Sequence, residues 1–293
     1  MADRRVLVTG GAGFVGRQVV AALFALGAAP LAPPAPRPDL LDTAARRDWV
    51  VASGADTLIH CAWVTGHGAF WEHGENLDWV GGSLDLLRVF ATAGGKRVVL
   101  VGTCAEYDWS RATRGPWRET RVTRPTSLYG AAKLATWTAG AAFAARAGLG
   151  CVNARVFLPV GRHEAPGRLL PSLIAAVRDG IDLRTGPAHL TRDIMDVRDV
   201  GEAIARLALS EARGAVNIGT GRATSLGELA RLVAGPAIHL VRLGGRPVRA
   251  GEPLWMVADP ARLRRATGFV PRHALEETVA DAFAHWRVAR PTA

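Results

Sequence analysis

The chain opens with a pattern that leaves its first fold unit little freedom. Arg4-Arg-Val-Leu-Val-Thr9 is a short β-branched run, Gly10-Gly-Ala-Gly-Phe-Val-Gly16 follows at once, and Arg17–Leu26 has helical spacing and stops at Gly27. The run reads as a buried strand, so the segment predicts strand, tight glycine turn, helix. Gly10, Gly13 and Gly16 form a G-x-x-G-x-x-G pattern. Glycine allows the turn and lets backbone approach a pyrophosphate, while the helix N-terminus supplies N–H donors and the positive end of its dipole. In a chain with 33 glycines the pattern alone says little. Its place between a strand and a helix makes it a dinucleotide-binding signal.

The alternation continues. Thr57–Ala62, Arg97–Val101 and Cys151–Phe157 read as further strands, with helical patterns over Leu77–Ala93 and Ser127–Ala147 between them. Repeated βαβ units predict an α/β fold, a doubly wound parallel sheet with helices on both faces. After Pro159 the pattern loosens into a loop (Gly161–Gly167), a helix (Leu169–Arg178), a loop (Gly186–Asp193), a helix (Val197–Ser210), a strand (Ala215–Gly219) and a helix capped by Ser225. We expect a dinucleotide-binding domain over 1–160, completed by about 191–220. A smaller substrate-binding part would take 161–190 and 221–293.

Composition narrows the class. With 49% hydrophobic and 21% charged residues over 293, the chain is expected to fold as one large or two small domains. The net charge is +10, but the arginines are spread along the chain. A nucleic-acid binder clusters them, so the charge suits a small anionic substrate better and no nucleic-acid partner is expected. No apolar run reaches the ~18 residues of a membrane helix, and the N-terminus shows no signal peptide. Three scattered cysteines form no disulfide or zinc framework, which points to a reducing cytoplasm. His60, His67 and His73 match no zinc spacing, so no metal is expected.

Scarcity is the most informative composition fact. The chain has two lysines, Lys96 and Lys133, and two tyrosines, Tyr107 and Tyr129. Where arginine carries almost every positive charge, a lysine suggests a task that needs a compact, titratable ammonium. Tyr129-Gly-Ala-Ala-Lys133 places one of each a helical turn apart on one face. A nearby ammonium stabilises a phenolate, so the phenol can exchange a proton with an alcohol or ketone oxygen while hydride moves at carbon. Thr103, just after the strand Arg97–Val101, is placed to hydrogen-bond the same oxygen, and Glu106 reads as a turn residue, with an assisting role as the alternative. An acid that would hold an adenosine ribose 2′-OH is expected about 20 residues past the glycine turn. Pro33 and Pro34 stand there, and Arg37 is the nearest charge. Arginine suits a 2′-phosphate. NADP(H) is therefore favoured, with NAD(H) open through Asp39 or Asp42.

These segments resemble the extended short-chain dehydrogenase/reductase family, in its nucleotide-sugar epimerase/dehydratase/reductase branch, essentially end to end. Thr9–Gly16 resembles the family's opening, Asp39–Asp42 the segment bordering the adenine, and Ile59–Ala62 the segment behind the cofactor. Arg155–Gly161 resembles the segment beside the nicotinamide and sugar, and Thr191–Val200 the RDF-x-x-V-x-D-V motif. The resemblance implies Thr103, Tyr129 and Lys133 as catalytic residues. It implies cofactor contacts at Gly10, Gly13, Phe14, Val15, Gly16, Arg37, Asp39, Leu40, Cys61, Ala62, Trp63, Tyr129, Lys133, Phe157 and Leu158. Thr103, Cys104, Ala105, Arg192 and Arg249 would meet the substrate, the two arginines at its diphosphate. Family members are dimers through the two long helices, so a homodimer is expected.

The departures are as informative. Cys104 and Ala105 stand where the dehydratases carry an Asp-Glu pair. The epimerising reductases carry a cysteine where Ala105 stands, and Leu158 replaces the family asparagine. A triad without an extra acid–base pair suits simple hydride transfer. The expectation is an NADP(H)-dependent reductase of a nucleotide-linked 4-keto-6-deoxysugar. An NAD-dependent nucleotide-sugar 4-epimerase, a reductase of a non-sugar ketone or aldehyde, and a non-catalytic redox sensor are the alternatives, the tyrosine–lysine pair speaking against the last. Trp63, Trp71, Trp109 and Trp117 are candidates to line the site.

Overall fold

The β-branched run at the N-terminus forms the strand around which the sheet is organised. A computed structural model of the chain describes residues 4–32, 38–64, 66, 68–110, 114–248 and 251–288. In chain order the first half contains β1 (Arg5–Thr9), α1 (Gly16–Ala25), β2 (Ala29–Leu31), α2 (Thr43–Ser53), β3 (Thr57–His60), α3 (Glu75–Thr92), β4 (Arg97–Thr103), α4 (Leu128–Arg146) and β5 (Gly150–Val156). Next come β6 (Leu158–Val160), α5 (Leu169–Asp179), β7 (Leu183–Arg184), β8 (Thr191–Arg192), β9 (Ile194–Asp196), α6 (Val197–Leu209) and β10 (Gly214–Ile218). The chain ends with β11 (Thr224–Ser225), α7 (Leu226–Ala234), β12 (Val241–Arg242), β13 (Trp255–Met256), α8 (Ala261–Thr267) and α9 (Leu275–Val288).

The main sheet has the order β10-β5-β4-β3-β1-β2, every pair parallel. Chain order runs outward in opposite directions from β1 and β3. A crevice therefore opens at their C-terminal ends, where the glycine turn emerges. Both faces are covered, which is why the strands are apolar at successive positions rather than at alternate ones. Val6 and Val8 pack with Val19 and Leu23 of α1 and Ile204 of α6. Leu7, between them, packs with Leu86 and Phe90 of α3 on the opposite face.

A separate core joins α5, α7 and α9 through Leu170, Leu173, Leu229 and Val279. Small sheets, β11-β8-β13, β12-β7 and β6-β9, connect this part to the main sheet. The segment read as a loop over Gly186–Asp193 contains β8. Its partners β11 and β13 lie far along the chain, so nothing local marked it. No clean apolar period marks α2 in the sequence. Asp42 caps that helix by accepting from Ala45 N at 2.7 Å, and its buried face includes Arg46 rather than a clean apolar stripe. No helix among the described residues is long and apolar enough to cross a membrane.

Candidate functional site

The glycine turn is tight because side chains would not fit. Gly10 has φ +65°, and a Cβ there would lie 2.8 Å from Ala62 N. A Cβ on Gly16 would lie 2.1 Å from Gly10 O. Gly13 N donates to Gly10 O at 2.9 Å, while Gly13 itself is exposed and faces outward. Phe14 and Val15 follow, half-buried, and α1 starts at Gly16. An exposed glycine backbone before a helix N-terminus fits the pyrophosphate of a dinucleotide.

The segment Cys61-Ala62-Trp63 is pinned beside this turn. Ala62 N donates to Thr9 Oγ1 at 3.2 Å, Thr9 Oγ1 meets His60 Nδ1 at 2.7 Å, and His60 Nε2 meets Ser83 Oγ at 2.8 Å. Burial, and then Lys133, take the His60 pKa down to about 3, so it stays neutral. Burial pushes the Cys61 thiol up to about 12. Ahead of α2, Asp39 Oδ1 accepts from Leu41 N at 2.9 Å. Leu40 O accepts from Arg46 Nη1 at 2.6 Å, and Arg46 Nε reaches Asp85 of α3 at 3.0 Å. Sequence reading missed Arg46, whose partner lies 39 positions away. Arg37 lies outside the described residues.

Thr103 ends β4, and Tyr129 and Lys133 stand on α4. The half-buried Tyr129 ring is held edge-on by Phe70 at 4.9 Å and Trp71 at 5.6 Å. Burial pushes its phenol above the usual range, while neighbouring Thr103 and the charge of Arg168 pull it down. Lys133 is buried, donates to Val101 O at 3.0 Å and stands 3.9 Å over the Trp63 ring. Burial brings its pKa down to about 7, against an upward pull from Glu106. The ammonium expected to tune Tyr129 is therefore itself made easier to deprotonate by its burial.

Glu106 is more than a turn residue. It is fully buried, Oε1 accepts from Thr103 N at 3.0 Å, and Oε2 accepts from Asn153 Nδ2 at 2.8 Å and Arg155 Nε at 2.7 Å. The T-x-x-E spacing of Thr103 and Glu106 is a local capping-box signal for the first of these contacts, whereas those to Asn153 and Arg155 on β5 leave no local mark. Cys104 is buried, its thiol pushed up to about 12 by burial, with Arg192 pulling the other way. The carbonyl of Ala105 packs against the start of α4 at Gly130. Trp109 Nε1 donates to Cys104 O at 3.0 Å, and its ring lies 6.0 Å from Trp71. Phe157 and Trp117 are instead buried together, 6.3 Å apart, and Leu158 is half-buried.

Arg192 Nη2 donates to Glu252 Oε1 at 2.6 Å and Nη1 to Pro253 O at 3.0 Å. Arg249 lies outside the described residues, as does His67. In the loop before α5, Glu164 is buried and raised to about 7 by that burial, with Arg168 Nε at 3.5 Å.

A doubly wound sheet with this turn and this threonine–tyrosine–lysine group defines an NAD(P)-dependent enzyme of the extended short-chain dehydrogenase/reductase type. The chain belongs to the NAD-dependent epimerase/dehydratase family, whose model matches residues 6–219. It is 28% identical to a UDP-glucose 4-epimerase of Streptomyces lividans, over 98% of this chain and 97% of that one. It is 29% identical to a dTDP-6-deoxy-L-talose 4-dehydrogenase (NAD(P)(+)) of Kitasatospora kifunensis, over 96% and 95%. The crystal structure of the Thermus thermophilus UDP-glucose 4-epimerase in complex with NAD superposes with a TM-score of 0.85 at 25% identity, over 98% of this chain and 100% of that one. That of RMD from Pseudomonas aeruginosa complexed with NADPH superposes with 0.84 at 25% identity, over 97% and 98%.

Proposed function

We propose that the protein is an NADP(H)-dependent reductase acting on the 4-keto group of a nucleotide-linked 4-keto-6-deoxysugar. The observation that carries this reading is that Thr103 neighbours the Tyr129 phenol, with buried Lys133 on the same helix as Tyr129, and that Cys104 and Ala105, rather than an acid pair, come next along the chain. The reduced nicotinamide supplies hydride to the carbonyl carbon. Tyr129 gives its phenolic proton to the C4 oxygen, Thr103 polarises that oxygen by hydrogen bonding, and Lys133 holds the nicotinamide ribose. Gly10, Gly13, Phe14, Val15 and Gly16 hold the pyrophosphate, Asp39 and Leu40 border the adenine, and Arg37 meets the 2′-phosphate. Cys61, Ala62, Trp63, Phe157 and Leu158 back the cofactor. Arg192 and Arg249 take the substrate diphosphate, Arg192 exchanging Glu252 for phosphate, with Cys104 and Ala105 near the sugar.

The 4-dehydrogenase relative and the NADPH-bound neighbour support reduction. The epimerase relative and the NAD-bound neighbour support the second reading, a nucleotide-sugar 4-epimerase using the same triad with NAD. A homodimer through α3 and α4 belongs to the same proposal: the two helices pack side by side, and Leu77 on α3 is 62% exposed.

Titrating the protein with NADPH and NADH while following its tryptophan fluorescence separates the readings. NADPH binding about tenfold tighter or more, followed by NADPH oxidation on addition of a nucleotide-linked 4-keto-6-deoxysugar, is the expected result. Preference for NADH, or protein that purifies with NAD bound, selects the epimerase. Binding of neither cofactor overturns both.

A further inference from the structure

We propose that Glu106 is a positioning residue for the reduction proposed above, on which this inference rests: it sets the place of the Thr103 hydroxyl, and its buried carboxylate is tied to the same end of β4 as Lys133. Its carboxylate has no exposed surface, and both oxygens are engaged. One of them accepts from the backbone N–H of Thr103, the threonine that neighbours Tyr129. The Thr103 hydroxyl in turn accepts from Ala105 N at 3.2 Å, so the strand end and the turn after it are tied in both directions.

The strand is shaped around this carboxylate. A Cβ on Gly102 would fall 2.4 Å from Glu106 Oε1 and 2.1 Å from Asn153 Oδ1. Lys133 reaches the neighbouring residue of the strand, donating to Val101 O, and shares with Gly102 and Asn153 the lining of one small cavity. Of the groups that face Lys133, His60 on β3 is neutral, the Cys61 thiol is neutral, and Asn153 on β5 carries no charge. Tyr129, on its own helix, is a neutral phenol. Arg155 is held by Glu106 itself. Glu106 is the largest influence favouring the charged form of Lys133. Buried ion pairs contribute little to stability on balance, so a fully buried one behind the reacting hydroxyl is better explained by the geometry and charge it enforces.

Two kinds of readout test this. In a Lys96→Arg background Lys133 is the single lysine, so NMR of isotopically labelled lysine reports its titration with neither substrate nor cofactor present. Glu106→Gln keeps an acceptor but loses the charge, and is expected to lower that midpoint by about one pH unit. Glu106→Asp keeps the charge and leaves the midpoint in place. Both variants are expected to lose about 10- to 100-fold in kcat, with KM and NADPH affinity within about threefold of wild type.

Glu106→Gln strands Arg155, so the double variant Glu106→Gln/Arg155→Gln guards against misfolding. It is expected to melt cooperatively, bind NADPH and remain at least about tenfold slow. Recovery of wild-type kcat in the double variant overturns the proposal, because Glu106 would then merely neutralise Arg155. An unmoved Lys133 midpoint in Glu106→Gln overturns it as well, and so does loss of cooperative melting in all three variants. If the wild type turns over no keto sugar, the reductase reading fails, while the NMR arm still decides the role of Glu106.

Discussion

A phenol ordinarily ionises near pH 10, and burial carries Tyr129 further from neutrality. Such a group is a poor base but a serviceable acid toward a carbonyl oxygen that is becoming an alkoxide. Tyr129→Phe keeps the ring between Phe70 and Trp71 and deletes the proton. We expect kcat to fall by about 1,000-fold while NADPH binding by fluorescence is unchanged; equal losses in both would assign Tyr129 to binding. Glu164 offers a second residue-scale prediction. Burial raises its pKa from 4.5 to about 7. A raised carboxylate pKa means the folded state holds the proton more tightly, so its stabilising contribution is complete below about pH 4.5 and is lost as pH rises through about 7. The protein should therefore lose up to about 3 kcal/mol through this group between pH 5 and pH 8. Glu164→Gln should flatten that slope in denaturant unfolding at the two pH values; an identical slope would show that Glu164 is ionised in the folded protein throughout.

Among the elements, α4 carries the chemistry and its first turn is unusually well tied. Ser127 Oγ accepts from Gly130 N at 3.1 Å, Trp71 O accepts from Tyr129 N at 2.9 Å, and Glu72 Oε2 accepts from Leu128 N at 3.2 Å. Three of the N–H groups left free at a helix start are thereby satisfied, two of them by the segment before α3. Ser127→Ala should cost about 1 kcal/mol in urea unfolding and lower kcat less than it lowers stability, since the other two ties remain. No change in stability would mean water replaces the cap without loss. The serine was readable as a helix start; the contribution of Trp71 and Glu72 was not, because it depends on a loop more than 50 positions away in the chain.

At the scale of the molecule, Asp193, between β8 and β9, ties together the turns that follow β10 and β13. It accepts from Thr220 N at 2.8 Å, Thr220 Oγ1 at 2.7 Å, Gly221 N at 2.9 Å and Ala258 N at 3.1 Å. Asp193→Ala leaves those buried donors unpaired and should destabilise the protein by about 3 kcal/mol. NADPH affinity should change less than the KM for substrate, because the glycine turn is remote from the junction. Equal changes would indicate one cooperative unit. The sequence by itself determined the glycine turn, the strands β1, β3, β4 and β5, and the Tyr129–Lys133 spacing. Each of these rests on local backbone chemistry and short-range periodicity. Tertiary structure decided what surrounds them: β8 paired between distant strands, Arg46 buried against Asp85, Phe157 turned into a core beside Trp117, and Glu106 locked behind Thr103. Those placements follow from burial and from hydrogen-bond partners tens of residues apart. Contacts of that range leave no period or motif in the chain, so only the folded arrangement reveals which buried charges support the reacting groups.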